Sequence, residues 1–142
     1  MRKLGINYVR LAEFSWSKLE PFPGQYNFGW LDRVIDLLAK EHLKIILCTP
    51  TATPPKWLID QHPDILPTDI NTGNIRGFGS RRHYDFSSSV YFDASMQITE
   101  IMTLRYANHP AVIGWQTDNE LAQTHPTPVS YTHLTLPTNR EV

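Results

Sequence analysis

The segment Leu43–Cys48, LKIILC, carries one charge in six residues. A strand this apolar has no side to give to water, so it predicts the interior of a parallel sheet covered on both faces. Parallel neighbours need crossover connections, and the flanking sequence has the pattern for them. Upstream, Trp30, Leu31, Val34, Ile35, Leu37 and Leu38 share one helical face, while Asp32, Arg33, Asp36 and Lys40 fill the other. That helix follows a turn at Glu20–Gly24, where proline fixes φ and glycine permits positive φ. Before the turn, Tyr8–Phe14 (YVRLAEF) reads as a strand, then a polar and aromatic loop.

Downstream, Thr49–Pro55 is proline-rich, Pro55–Gln61 has room for one or two helical turns, and Pro63–Ser89 reads as a long loop. Loops of that length are uncommon without a function. Ala94, Ile98, Ile101, Met102 and Arg105 then recur at helical spacing until Pro110 ends the element, and Ala111–Trp115 (AVIGW) forms a third strand leading into Gln116–Glu120. Strand, helix, strand, helix, strand is the order of β/α units on a parallel sheet. A (β/α)8 barrel takes eight strands and typically ~250 residues, and a doubly wound sheet usually five or more strands. A chain of 142 residues with three strands is therefore expected to be a piece of something larger.

Thirteen basic and fourteen acidic residues leave a formal charge of −1, which argues against a nucleic-acid or membrane-surface partner. No run approaches the ~18 apolar residues of a membrane span. The one cysteine, Cys48, has no intrachain partner and reads as a buried small hydrophobe, and the six histidines show no paired spacing on a helix. Gly77 and Gly79 lack the third glycine and the preceding strand of a dinucleotide-binding turn.

In β/α folds the reactive groups gather at the C-terminal ends of the strands. Asn119 and Glu120 hold that position after the third strand, Arg10 and Glu13 stand near the end of the first, and Thr49-Pro50-Thr51 follows the second. Read alone, Asn119-Glu120 fits either a solvated strand end or a general acid beside a hydroxyl-binding amide. Arg81 and Arg82 fit either a surface basic pair or a guanidinium fork for sugar hydroxyls. Of the four tryptophans, Trp30 and Trp115 fall in core patterns; Trp16 and Trp57, in loops after strands, are the candidates for stacking on a sugar ring.

Four ordered blocks carry a resemblance: VRLAEFSWSKLEPFPGQYNFGWLD (9–32), ILCTPTATPPKWL (46–58), FGSRRHYDFSS (78–88) and HPAVIGWQTDNE (109–120). Together they resemble the catalytic barrel of the glycoside hydrolase family 42 β-galactosidases. The resemblance implies an incomplete (β/α)8 TIM barrel of the α/β class, covering about strands 2 to 4. It implies hydrolysis of terminal β-D-galactosides with retention, Glu120 being the acid/base, and Asn119 and Arg81 binding the substrate. Arg10, Glu13, Trp16 and Trp57 take supporting roles. The nucleophile of such a pair belongs near the seventh strand, so the chain is expected to hold half of the catalytic pair.

No metal or other cofactor is expected: many members carry a cysteine of a zinc cluster directly after RRHY, where this chain has Asp85. The implied partner is a β-galactoside or oligosaccharide, with a homo-oligomeric full-length parent. The loop FGSRRHY separates this reading from another retaining β-glycosidase of the same clan; a non-catalytic carbohydrate-binding fragment is the third reading. Residues 1–123 are the expected barrel segment. Residues 124–142 read as a disordered tail, with nine Ser, Thr or Pro among residues 124–138. Within it VSYTHLTLPT (129–138) resembles translated read-through of a sequencing adaptor, so the tail is expected to be non-native. Leu4 and Gly5 resemble the end and cap of a preceding helix, so Met1 is expected to be internal. The expected location is the cytoplasm, although with an internal Met1 the missing leader says nothing against export.

Overall fold

The computed structural model describes residues 4–79 and 82–119. Its elements run β1 (Tyr8–Leu11), α1 (Trp16–Leu19), α2 (Gly29–Lys40), β2 (Lys44–Cys48), α3 (Lys56–Gln61), a 3-10 turn (Pro63–Ile65), α4 (Ser89–Tyr106) and β3 (Val112–Gln116). The strands form one parallel sheet in the order β1-β2-β3, so neighbours in space follow the chain without a switch. The register sets Val9 beside Ile45 and Leu11 beside Leu47, and this row faces the helices. Ile45 and Leu47 are fully buried there among Leu31, Ile35, Ile98 and Met102. The apolar run that predicted a parallel strand is thus the centre of the core. Each strand end, in consequence, emerges on the same side of the sheet.

β1 stops three residues short of the predicted Phe14. Ala12 adopts φ 78°, a left-handed conformation costing an L-residue roughly 1–2 kcal/mol, and it turns the chain out of the sheet. The Ser15 hydroxyl and amide both donate to the Ala12 carbonyl, at 2.7 and 3.1 Å, and α1 follows as a single turn where a loop was expected. In α2 the buried residues are Leu31, Ile35 and Leu38; Leu37, which the pattern placed on the apolar face, is 60% exposed. The sheet covers only the i, i+4, i+7 stripe.

α4 begins five residues before the predicted Ala94, because the Ser88 hydroxyl accepts the Tyr91 amide at 3.2 Å and caps the helix. This brings Tyr91 into line with Ile98, Met102 and Tyr106 on the buried face. The helix is tied to α2 at its far end: Arg105 donates to both oxygens of Asp32, at 2.8 and 2.5 Å, and the Tyr106 hydroxyl donates to the same carboxylate at 2.7 Å. The guanidinium, chiefly, holds the Asp32 carboxyl below the ordinary range. The connection predicted as a long loop has internal order, with Thr68 bridged to Ile75 and Asp69 accepting the amides of Asn71 and Thr72.

Candidate active site

The three parallel strands end along one edge of the sheet. At the end of β1, Arg10 donates to Glu13 at 2.6 Å, an ion pair half-exposed on the arginine side and largely buried on the glutamate side. After β2 come Thr49, Pro50 and Thr51, all buried. β3 ends at Gln116, and the next buried residue is Asp118, with Asn119 half-buried beyond it. Glu120 and Arg81 lie outside the described residues.

Asp118 is the hub of this region. Its Oδ1 accepts from the Tyr84 hydroxyl at 2.7 Å and from the Asn119 amide at 2.5 Å. Its Oδ2 accepts from the Thr51 hydroxyl at 3.0 Å and faces the Tyr91 hydroxyl at 3.0 Å. The Tyr91 proton is shared with the Thr51 carbonyl, 3.1 Å away. The Asp118 amide donates to the Thr49 hydroxyl at 2.8 Å, and the two threonine hydroxyls lie 3.1 Å apart. Because Thr51 spends its only proton on Asp118, Thr49 must be the donor in that pair. The donors therefore run in a closed ring, from the Asp118 amide through Thr49 and Thr51 back to the Asp118 carboxylate. Bonds in such a chain reinforce one another in a low-dielectric setting.

The two tyrosines are stacked, with ring centroids 4.5 Å apart. Burial first, and the Asp118 carboxylate next, push both phenols well above their ordinary range, so they remain donors at any physiological pH. Sequence reasoning missed Asp118, Tyr84 and Tyr91. The available signals were the hydroxyl pair Thr49-x-Thr51 directly after an apolar strand and an aspartate directly before Asn119-Glu120.

Trp16 and Trp57 lie in helices, not loops, and the burial of Trp16 corrects its stacking assignment. Trp16 is 0% exposed; its indole N–H donates to Glu20 Oε2 at 2.9 Å, and its ring lies 6.5 Å from that of Tyr91. A wholly buried indole has no face for a sugar. Trp57, half-buried on α3, donates to the Glu20 carbonyl at 2.9 Å. Glu20 also accepts the Gly24 amide at 2.9 Å, and this joins both indoles to the turn after α1. His83 is buried too, with Nε2 3.0 Å from the Pro54 carbonyl, which pins the loop to the segment leading into α3.

Burial pushes the Cys48 thiol up, so it behaves as an apolar side chain and not a nucleophile. Asp85 accepts the Ser87 amide at 2.9 Å in the turn before α4. Among the described residues no three His, Cys, Asp or Glu side chains cluster as metal ligands. A lone carboxylate engaged by its own turn does not fit a thiolate-rich zinc cluster. No helix among the described residues is long and apolar enough to cross a membrane.

Comparison with known proteins agrees with this architecture. Residues 1–134 match the glycoside hydrolase family 42 model, described as Beta-galactosidase. A β-galactosidase of Thermus thermophilus is 53% identical over 120 residues, which cover 84% of this chain and 18% of the relative. One from Halorubrum lacusprofundi is 52% identical over 120 residues, 84% of this chain and 17% of the relative. Among solved structures, the β-galactosidase of the psychrophilic Marinomonas ef1 superposes with a TM-score of 0.82 at 55% identity, covering 85% of this chain and 18% of the other. A family 42 β-galactosidase from G. stearothermophilus, solved as a catalytic mutant, gives 0.81 at 32% identity, covering 87% and 18%. The chain thus spans about 18% of the length of the curated relatives it matches. The three strands are consecutive strands of a (β/α)8 barrel. With sequence, strand order and superposition in agreement over more than four-fifths of its length, the chain belongs to the glycoside hydrolase family 42 β-galactosidases.

Proposed function

We propose that this chain is a segment of a retaining β-galactosidase and supplies the acid/base side of its active site, with the nucleophile outside residues 1–142. The observation that carries the reading is the meeting of the β2 and β3 ends at Asp118, directly before Asn119 and Glu120. In this reading residues 1–123 belong to the barrel and residues 124–142 do not. The enzyme acts in the cytoplasm as a homo-oligomer and needs no resident metal for the reaction.

Each residue then has a role set by its chemistry. Asn119 and Arg81 offer amide and guanidinium donors to sugar hydroxyls. Glu120 protonates the glycosidic oxygen as the bond to the anomeric carbon breaks. A second carboxylate about 5–5.5 Å away attacks that carbon, and Glu120 afterwards takes a proton from the water that releases galactose. The Arg10–Glu13 ion pair takes a supporting role at the end of β1. Trp16 and Trp57 take theirs at the turn after α1.

Stereochemistry is the test. The full-length enzyme carrying this segment is expected to release galactose first as the β anomer, followed by proton NMR before mutarotation. Initial release of the α anomer would overturn the two-carboxylate retaining mechanism.

A further inference from the structure

We propose that Asp118 is the positioning residue of this site: its buried carboxylate sets the direction in which the backbone leaves β3, and so the placement of Asn119 and Glu120 against substrate. The inference rests on reading Glu120 as the acid/base.

Asp118 is 8% exposed, and its four donors fill the roughly four acceptor positions a carboxylate offers. Those donors come from separate parts of the chain: Thr51 after β2, Tyr84 in the connection, Tyr91 in the first turn of α4 and the Asn119 amide itself. The residue also adopts φ 54°, a left-handed conformation that aspartate tolerates through local side-chain bonding. Here the bond to the Asn119 amide provides it. The Gln116 side chain donates to the Asp118 carbonyl at 2.9 Å, so the peptide group leading to Asn119 is held from both sides.

Stability alone does not call for this arrangement. A buried charge costs desolvation, and well-packed apolar residues commonly hold a strand end as well or better. What a saturated carboxylate adds is direction, since each of its oxygens is fixed by two donors. At a strand end whose next two residues contact substrate, direction has a use: a misplacement of 1 Å costs on the order of 100-fold in rate.

The test uses the full-length enzyme, with two aryl β-galactosides. Phenyl β-galactoside needs protonation of its leaving group; 2,4-dinitrophenyl β-galactoside does not. Asp118→Asn keeps the shape and replaces one acceptor oxygen by a donor. It is expected to lower kcat on the phenyl substrate about 10- to 100-fold, to leave KM within about threefold and to reduce kcat/KM for the dinitrophenyl substrate far less. Asp32→Asn, which breaks the α2–α4 clamp away from the strand ends, lowers Tm while leaving both rates within about twofold.

If Asp118→Asn behaves like Asp32→Asn, with a lower Tm and an unchanged leaving-group dependence, the positioning role is overturned. Should Asp118→Asn not fold, Tyr91→Phe removes one donor and keeps the ring; a selective loss on the phenyl substrate supports the role, and a loss equal on both substrates overturns it. Glu120→Gln separates the two claims. If that variant leaves the leaving-group dependence intact, the acid/base reading itself fails, whatever Asp118→Asn does.

Discussion

Glu120→Gln in the full-length enzyme is expected to lower kcat/KM for phenyl β-galactoside by about 10²- to 10⁴-fold, the range of a lost general acid. The amide keeps the volume and hydrogen-bonding reach of the carboxyl but has no proton to transfer. On 2,4-dinitrophenyl β-galactoside the same variant is expected to keep kcat/KM close to that of the parent, because dinitrophenolate leaves unprotonated. Its kcat falls nevertheless, since water attacking the galactosyl-enzyme then lacks a base. The signature is a burst of dinitrophenolate followed by slow turnover. Azide, which needs no base, is expected to relieve the slow step in Glu120→Ala and to give β-galactosyl azide. An equal loss of kcat/KM on both substrates would remove Glu120 from the acid/base role.

The second large effect concerns the core around Trp16. Trp16→Ala is expected to destabilise the protein by about 3–5 kcal/mol, the range for a large aromatic removed from a packed core. Trp16 is fully buried, and it packs against Tyr91 and satisfies Glu20. Removing it opens a cavity and leaves Glu20 Oε2 without its indole donor. Trp16→Phe keeps most of the packing, and its cost should approach that of the lost hydrogen bond, about 1–3 kcal/mol. Chemical denaturation of both variants checks the pair. A change below about 1 kcal/mol for Trp16→Ala would mean that the space refills easily and that Trp16 does not hold Tyr91 in place.

Much of the frame was legible in the sequence because the signals were local and periodic. LKIILC had the pattern of an interior strand, the face of α2 followed the 3.6-residue period, and the position of Asn119 followed from where a β/α strand ends. α1 was not legible, since four residues are too few to show a helical period and its start depends on Ala12 adopting φ 78°. Trp16 was misplaced for the same reason: an indole expected in a loop is exposed, whereas one on a turn packed beneath the sheet is buried. Leu37 matched the apolar pattern but lies outside the stripe that the sheet covers.

The Asp118 network failed to appear for a different reason. Its members stand at positions 49, 51, 84, 91 and 118, and only the folded β/α units bring them together. Each residue has an ordinary use when read alone. Thr49 and Thr51 belong to a proline-rich stretch, Tyr84 and Tyr91 flank a helix start, and Asp118 passes for a strand-end acid. Burial makes them a unit, because a charge removed from water has to find donors wherever the fold brings them.

The division of the catalytic pair is tested most directly by trapping the nucleophile in the full-length enzyme. A 2-deoxy-2-fluoro-β-galactoside with a dinitrophenyl leaving group forms a galactosyl-enzyme that breaks down slowly, and peptide mapping identifies the labelled carboxylate. The expected label lies outside residues 1–142. A label on a carboxylate within this segment, Glu13 at the end of β1 above all, would contradict the assignment of this chain to the acid/base side alone.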